Sequence, residues 1–189
     1  ADQDIDEVFE LFSVPIDRSG SPVQLNPPLV NGGDVEFLNT RISPDGQYAI
    51  YIADQEVDER FELYSVPVGG PSSEAVKVSR PSGILITLIS DVRSFDVSPD
   101  SAWIAYRLSR VNALTLRSWV DLYHVPIRGP GTASQRVNES LVSGGEVHSG
   151  RYSPDGTYII YGADQEEDDV RELFAAYVRA GVGHWDEYR

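Results

Sequence analysis

A three-residue motif, Ser-Pro-Asp, recurs at intervals of 55 residues, and this regularity constrains the fold more than any other feature. Its copies begin at Ser43, Ser98 and Ser153. A second motif, Glu-Leu-Tyr-Ser-Val-Pro at 62–67, follows about 20 residues later and has variants at 121–126 and 172–176. A fourth variant stands at 10–15 with no Ser-Pro-Asp before it. Two ordered motifs at one period indicate a chain built from copies of a single supersecondary unit.

Each unit is predicted to contain four short strands, named a to d in chain order. Strand a leads into Ser-Pro-Asp-Gly, where Pro presets φ and Gly supplies the positive φ of a tight turn. Strand b is the apolar run 48–52, strand c is the second motif, and strand d is the more polar run 75–78. A run that is apolar on both faces is typical of a strand between two other layers. The sequence therefore predicts an all-β fold, a β-propeller built of four-stranded antiparallel blades.

Counting strands predicts a single partial propeller over 1–189, with about three and a half blades. We expect a half blade at 1–31, complete blades at 32–89 and 90–143, and an incomplete blade with strands a to c at 144–189. An open stack exposes apolar faces and strand edges, which favours association. We therefore expect either a homodimer that completes a ring of about seven blades, or a chain that is part of a longer propeller.

The Ser-Pro-Asp-Gly turn followed by an aromatic-rich strand resembles the TolB-type propeller repeat, a WD40-like repeat also called PD40. The phrase Ala-Asp-Gln-Asp followed by Phe-Glu-Leu-Phe-Ser-Val-Pro-Ile is similar to a subset found in large bacterial proteins of this class. The resemblance covers nearly the whole chain and implies a periplasmic or extracellular setting. One departure is Ser101, which replaces the Gly46 and Gly156 of the other copies. It predicts a strained turn or a different turn type.

The charge balance excludes several classes of partner. The chain has 30 acidic and 15 basic residues, a formal net charge of −15. We expect no nucleic acid as a partner, since neutralising phosphates needs clustered Lys and Arg. No apolar run reaches the roughly 18 residues of a membrane span, so no membrane insertion is expected. Cysteine is absent, which excludes disulfides and thiolate metal sites.

Sixteen of the 30 carboxylates fall in three short stretches, each in a connection between strands b and c. One propeller face is therefore predicted to be strongly acidic, either as solvated loops or as a surface for a partner. The candidate contact residues are Asp54, Glu56, Asp58, Asp164, Glu166 and Asp168. Alternating Asp2, Asp4 and Asp6 also offer oxygen ligands that calcium prefers, although the Gly and Glu of an EF-hand loop are missing. Apart from possible calcium, no cofactor is expected.

The middle unit departs from this acidic pattern. Its connection from Ser109 to Asp121 is four residues longer and contains Arg110, Arg117 and Trp119. Repeat proteins often vary their binding in longer loops on one face. These three residues are therefore candidates for a surface that contacts a protein or peptide, with an insertion that only packs internally as the alternative.

The sequence carries no recognisable catalytic constellation. The three histidines, His124, His148 and His184, form no pair with zinc-ligand spacing, and no Gly-x-Ser-x-Gly elbow occurs. His124 aligns with a strand c serine and is expected to pack. We expect a non-catalytic module that binds a protein, a peptide or a second copy of itself. The alternatives are the propeller domain of a larger serine hydrolase or peptidase, and a surface structural repeat stabilised by calcium.

Overall fold

The computed structural model describes residues 8–81, 88–178 and 187–188. In these ranges the strands form one two-stranded sheet and three four-stranded sheets, in which neighbouring strands are antiparallel. This confirms the predicted all-β fold of four-stranded antiparallel sheets, which we call blades 1 to 3. In the same ranges no helix has the length and apolar character required to cross a bilayer.

Each blade is a meander, so strands adjacent in the chain are adjacent in the sheet. The two-stranded sheet pairs β1 (Phe12–Ser13) with β2 (Val23–Gln24). Blade 1 contains β3 (Val35–Ile42), β4 (Tyr48–Ala53), β5 (Glu62–Pro67) and β6 (Val76–Lys77). Blade 2 contains β7 (Leu88–Val97), β8 (Trp103–Asn112), β9 (Ser118–Pro126) and β10 (Gln135–Arg136). Blade 3 contains β11 (Val147–Tyr152), β12 (Tyr158–Ala163), β13 (Glu172–Tyr177) and β14 (Glu187–Tyr188). Short 3-10 helices at Ser72–Glu74 and Gly131–Ala133 connect strands c and d.

Two details of the predicted division differ from the structure. The sheet within 144–189 has a fourth strand, β14, which pairs with β13. A two-residue strand after a glycine-containing tail leaves no periodic pattern, so the sequence did not reveal it. The predicted boundary between 89 and 90 falls inside β7, which begins at Leu88. The aspartates of the first acidic stretch, Asp2, Asp4 and Asp6, and also His184, lie outside the described residues.

The hydrophobic core lies between sheets. Ile52 and Leu63 of blade 1 share one buried cluster with Ile104 and Val125 of blade 2. Other clusters join blade 2 to blade 3 and the two-stranded sheet to blade 1. Strand b of blades 1 and 2 lies between two neighbouring sheets, which explains its apolar residues on both faces.

Stacked aromatic rings repeat at the same place in every blade. A strand b tyrosine lies against a strand c ring with centroids 5.3–5.6 Å apart, in the pairs Tyr51–Tyr64, Tyr106–Tyr123 and Tyr161–Phe174. All three strand b tyrosines are fully buried. Such offset pairs stabilise a core beyond the area that they bury.

The Ser-Pro-Asp turn is a closed set of hydrogen bonds in all three copies. The serine hydroxyl donates to the aspartate carboxylate at 2.5 Å and accepts the backbone N–H five residues later at 2.9 Å. Ser101 has a φ of 61°, close to the 75° of Gly46 and the 71° of Gly156. The middle copy therefore keeps the same turn and bears the predicted strain, and the alternative of a different turn type is wrong.

Candidate functional site

The long connection of the middle unit is a β-hairpin. Arg110 pairs with Trp119 and Val111 with Ser118, so β8 and β9 continue well past the ends of the corresponding strands in blades 1 and 3. Only 113–117 form the turn. The prediction of a loop from Ser109 to Asp121 is therefore wrong, because strand pairing persists over most of it.

In blade 1 a buried aspartate ends this pairing. Asp54, directly after β4, accepts the backbone N–H of Asp34 at 2.6 Å and that of Glu59 at 2.9 Å. The next residue, Gln55, accepts the Tyr51 hydroxyl at 3.0 Å. These bonds bind the b–c loop to the segment that precedes strand a, so the chain turns away from the sheet.

Blade 3 repeats the arrangement and blade 2 lacks it. Asp164 accepts the backbone N–H of Glu146 at 2.6 Å and that of Asp169. In blade 2 the positions equivalent to Asp54 and Gln55 carry Ser109 and Arg110, and they are still paired within the hairpin. A serine hydroxyl is too short and too weak an acceptor to hold both N–H groups, so the hairpin continues.

Two acidic candidates are thus internal structural residues. Asp54 and Asp164 are only 3% and 5% exposed, so they do not belong to a contact surface. Burial opposes ionisation of Asp164, but its backbone hydrogen bonds and nearby His148, whose Nε2 lies 3.1 Å from its Oδ1, lower the pKa. The remaining candidates, Glu56, Asp58, Glu166 and Asp168, are exposed.

A group of carboxylates in blade 3 bears on the calcium hypothesis. Asp164, Asp168 and Asp169 have oxygens within 4.8 Å of one another. Asp164 already accepts backbone N–H groups, which reduces its capacity as a ligand. Calcium binding stays a prediction.

The hairpin of blade 2 is anchored by Arg110. Its guanidinium forms an ion pair with Asp121, which is 3% exposed, and donates to the Tyr123 hydroxyl. Its central carbon lies 5.4 Å from the centroid of the Trp119 ring. Asp121 also accepts the Asn138 side-chain amide at 3.1 Å. A planar guanidinium held by hydrogen bonds and stacking on a ring is fixed in place, so Arg110 positions Trp119.

A cleft of about 760 Å³ opens between this hairpin and the loop that leads into blade 3. Blade 2 contributes Arg110, Asn112, Thr115, Arg117, Ser118, Trp119 and Asp121, together with Arg136 of the neighbouring strand β10, and the loop that leads into blade 3 contributes residues 140–145. The structure therefore brings the predicted Arg110, Arg117 and Trp119 together in one cleft. None of the six acidic candidates lines it, although Asp168 borders Gly144.

Arg136 and the wall at 140–145 were not among the predicted site residues. A signal was present, since Gly144-Gly145 repeats Gly32-Gly33 at the same place before strand a. A Cβ at Gly145 would lie 2.4 Å from the Asp164 carbonyl oxygen, so the loop can approach strand b only with glycine there.

Comparison with known proteins reveals similarity only at the level of structure. No protein-family model matches the chain, and no curated protein matches it. Prolyl oligopeptidase B from Galerina marginata superposes with a TM-score of 0.57 at 16% identity, over 93% of this chain and 27% of that one. The fold is a β-propeller.

A prolyl endopeptidase gives a similar result, with a TM-score of 0.56 at 12% identity, over 89% of this chain and 24% of the other. The propeller described here thus spans about a quarter of the length of these peptidases. At such low identity the shared feature is the fold.

Proposed function

We propose that this chain is a non-catalytic β-propeller module that binds a protein or peptide in the cleft beside the blade 2 hairpin. The observation that carries the proposal is the hairpin itself, which breaks the repeat at one place and forms one wall of the larger cleft there. Ligand sites are typically clefts of several hundred Å³. Loops that vary on a rigid scaffold commonly carry the binding function of a fold.

The described histidines have structural environments, which supports a non-catalytic role. His124 is buried with its ring 4.4 Å from that of Trp103, and burial lowers its pKa to about 4. His148 pairs with the structural Asp164. Both imidazole rings therefore make contacts within the folded chain.

A peptide selection tests the proposal. A random peptide library is panned against the 189-residue chain and, in parallel, against Trp119→Ala, which removes one wall of the cleft. We expect peptides to be enriched on the wild type and to lose binding to W119A. Equal enrichment on both proteins, or none on either, would contradict binding in the cleft. A circular dichroism melt of W119A verifies that the variant is folded.

The alternative from the sequence, the propeller domain of a larger serine hydrolase or peptidase, stays a prediction. The two prolyl peptidases share the propeller fold with this chain, which spans about a quarter of their length. The sequence of the complete open reading frame tests this candidate, which requires a hydrolase domain beside the propeller.

We also propose that the propeller is of the TolB type and has a periplasmic or extracellular location. The support for this proposal is the Ser-Pro-Asp repeat.

Self-association is proposed on a separate observation. Leu63 and Leu122 are buried against the following blade, whereas Leu173, at the same position in blade 3, is 72% exposed. This open apolar face is suited to another blade or a second copy.

A further inference from the structure

The molecule contains two versions of the cleft, related by the repeat. A smaller one, of about 420 Å³, lies beside the two-stranded sheet and is lined by Val8, Glu10, Gln24 and residues 28–32. Glu10 stands where Asp121 stands in the larger cleft, and Gln24 stands where Arg136 does. The two clefts lie at equivalent positions of the repeat, so the differences between their lining residues show what blade 2 has added.

Compared with the smaller cleft, the larger cleft has additional positive charge and the indole ring of Trp119. The larger cleft is lined by three arginines and a single carboxylate, that of Asp121. The smaller one is lined by no arginine and by one glutamate among the described residues. In a chain with a net charge of −15, three guanidinium groups in one cleft create a local positive potential against the overall field.

The three arginines differ in how far their guanidinium groups are paired within the chain. Arg110 is committed to Asp121 and Tyr123. Arg136 lies at the edge, with Nη1 3.9 Å from Asp121 Oδ1 and 44% of its side chain exposed. Arg117 is exposed, and its side chain has no ion pair or hydrogen bond within the described ranges. Asp121 is thus neutralised by Arg110, which leaves Arg117 and Arg136 available for another anion.

We propose that the cleft binds an acidic peptide segment, with carboxylates of the ligand held by Arg117 and Arg136 and an apolar side chain packed on Trp119. This inference rests on the proposed function and specifies its ligand. The fork of a guanidinium matches a carboxylate with two parallel hydrogen bonds. Trp119 and Leu141 supply apolar surface in the lining of the same cleft. A long polyanion such as DNA is disfavoured by the acidic surface around the cleft.

Fluorescence polarisation tests the inference on the complete chain. The probe is a labelled hexapeptide of alternating glutamate and leucine, and its matched control replaces each glutamate by glutamine. We expect the acidic peptide to bind and the neutral one to bind at least about tenfold more weakly. We expect Arg117→Gln and Arg136→Gln each to weaken binding of the acidic peptide about tenfold. Arg171→Gln, an exposed arginine outside the cleft, is expected to leave it unchanged.

The outcomes separate this inference from the proposed function. Equal binding of the two peptides, lost in W119A, would overturn the acidic ligand class but keep peptide binding in the cleft. No binding of either peptide up to about 1 mM would count against both. An equal loss in R171Q would overturn the site, since any surface arginine would then suffice. Tighter binding of a labelled single-stranded DNA than of the acidic peptide would also overturn it.

Discussion

Ser101 has the positive φ that glycine has at the same position of the other two Ser-Pro-Asp turns. A positive φ costs an ordinary residue about 1 kcal/mol. Its hydroxyl accepts the backbone N–H of Asp45 in the neighbouring turn at 3.0 Å, which links blade 2 to blade 1. The strain is thus accompanied by a contact between blades that glycine cannot make.

Two substitutions separate the strain from the contact. Ser101→Ala retains the strain and loses the acceptor, so the free energy of unfolding should fall by about 1 kcal/mol. Ser101→Gly loses the same acceptor but relieves the strain, and it should be more stable than S101A by about 1 kcal/mol. Urea unfolding measures both values. Equal stability of S101A and S101G would show that the turn is unstrained.

His124 makes folding depend on pH. Burial between Trp103 and Tyr152 lowers its pKa from 6.5 to about 4, so the ring is neutral in the folded chain. Between these values the unfolded chain binds more protons than the folded one. This contribution to stability is therefore complete above pH 6.5 and is lost as the pH falls toward 4, to a limit of about 3 kcal/mol.

Replacing the ring tests this linkage. His124→Phe keeps an aromatic ring in the stack but cannot be protonated. Between pH 6.5 and 4.5 the stability of the wild type should fall by about 2 kcal/mol more than that of H124F, measured by urea unfolding at each pH. The carboxylates titrate in both proteins, so the comparison isolates the histidine. Parallel pH profiles would contradict the argument.

At the scale of elements, one aspartate decides where a hairpin ends. Asp54 and Asp164 bind the b–c loop to the segment before strand a, and both blades have strands of six residues on either side of that loop. Blade 2 has Ser109 at this position, and its strands reach ten and nine residues. The long hairpin, which forms one wall of the larger cleft, thus coincides with the loss of this aspartate.

Asp164→Ala should therefore destabilise blade 3. The substitution leaves the N–H groups of Glu146 and Asp169 without their acceptor, and the expected loss is about 2 kcal/mol. Asp168→Ala, which removes an exposed carboxylate four residues away, is the matched control and should change stability by less than about 0.5 kcal/mol. Thermal unfolding of the three proteins gives the comparison. Similar melting temperatures for D164A and the wild type would refute the structural role of Asp164.

At the scale of the whole molecule, blade 3 has an open face. Ile160 is 36% exposed and Leu173 is 72% exposed, whereas Ile50, Ala105, Leu63 and Leu122 at the same repeat positions are buried. Each of those residues has a neighbouring sheet on that side, and blade 3 does not within the described residues. Burial of this face against a second copy would remove apolar area from water.

Light scattering after size exclusion, over a range of concentrations, tests self-association. We expect a mass of twice 20.9 kDa for the wild type. Leu173→Glu places a charge on the open face and should give a monomer. Leu114→Glu, on a residue that is 80% exposed at the tip of the hairpin, should leave the mass unchanged. A wild type that remains monomeric at all concentrations would refute the homodimer.

The sequence by itself determined the repeat, the four-stranded blades, the Ser-Pro-Asp turns and the unusual character of Arg110, Arg117 and Trp119. These are local properties, since turn chemistry and strand periodicity act over a few neighbouring residues. Only the tertiary structure showed that Asp54 and Asp164 are buried, that the predicted loop is a hairpin, and that Arg117 and Arg136 line one cleft. Each of these depends on contacts between segments far apart in the chain, which residue pattern and composition do not encode.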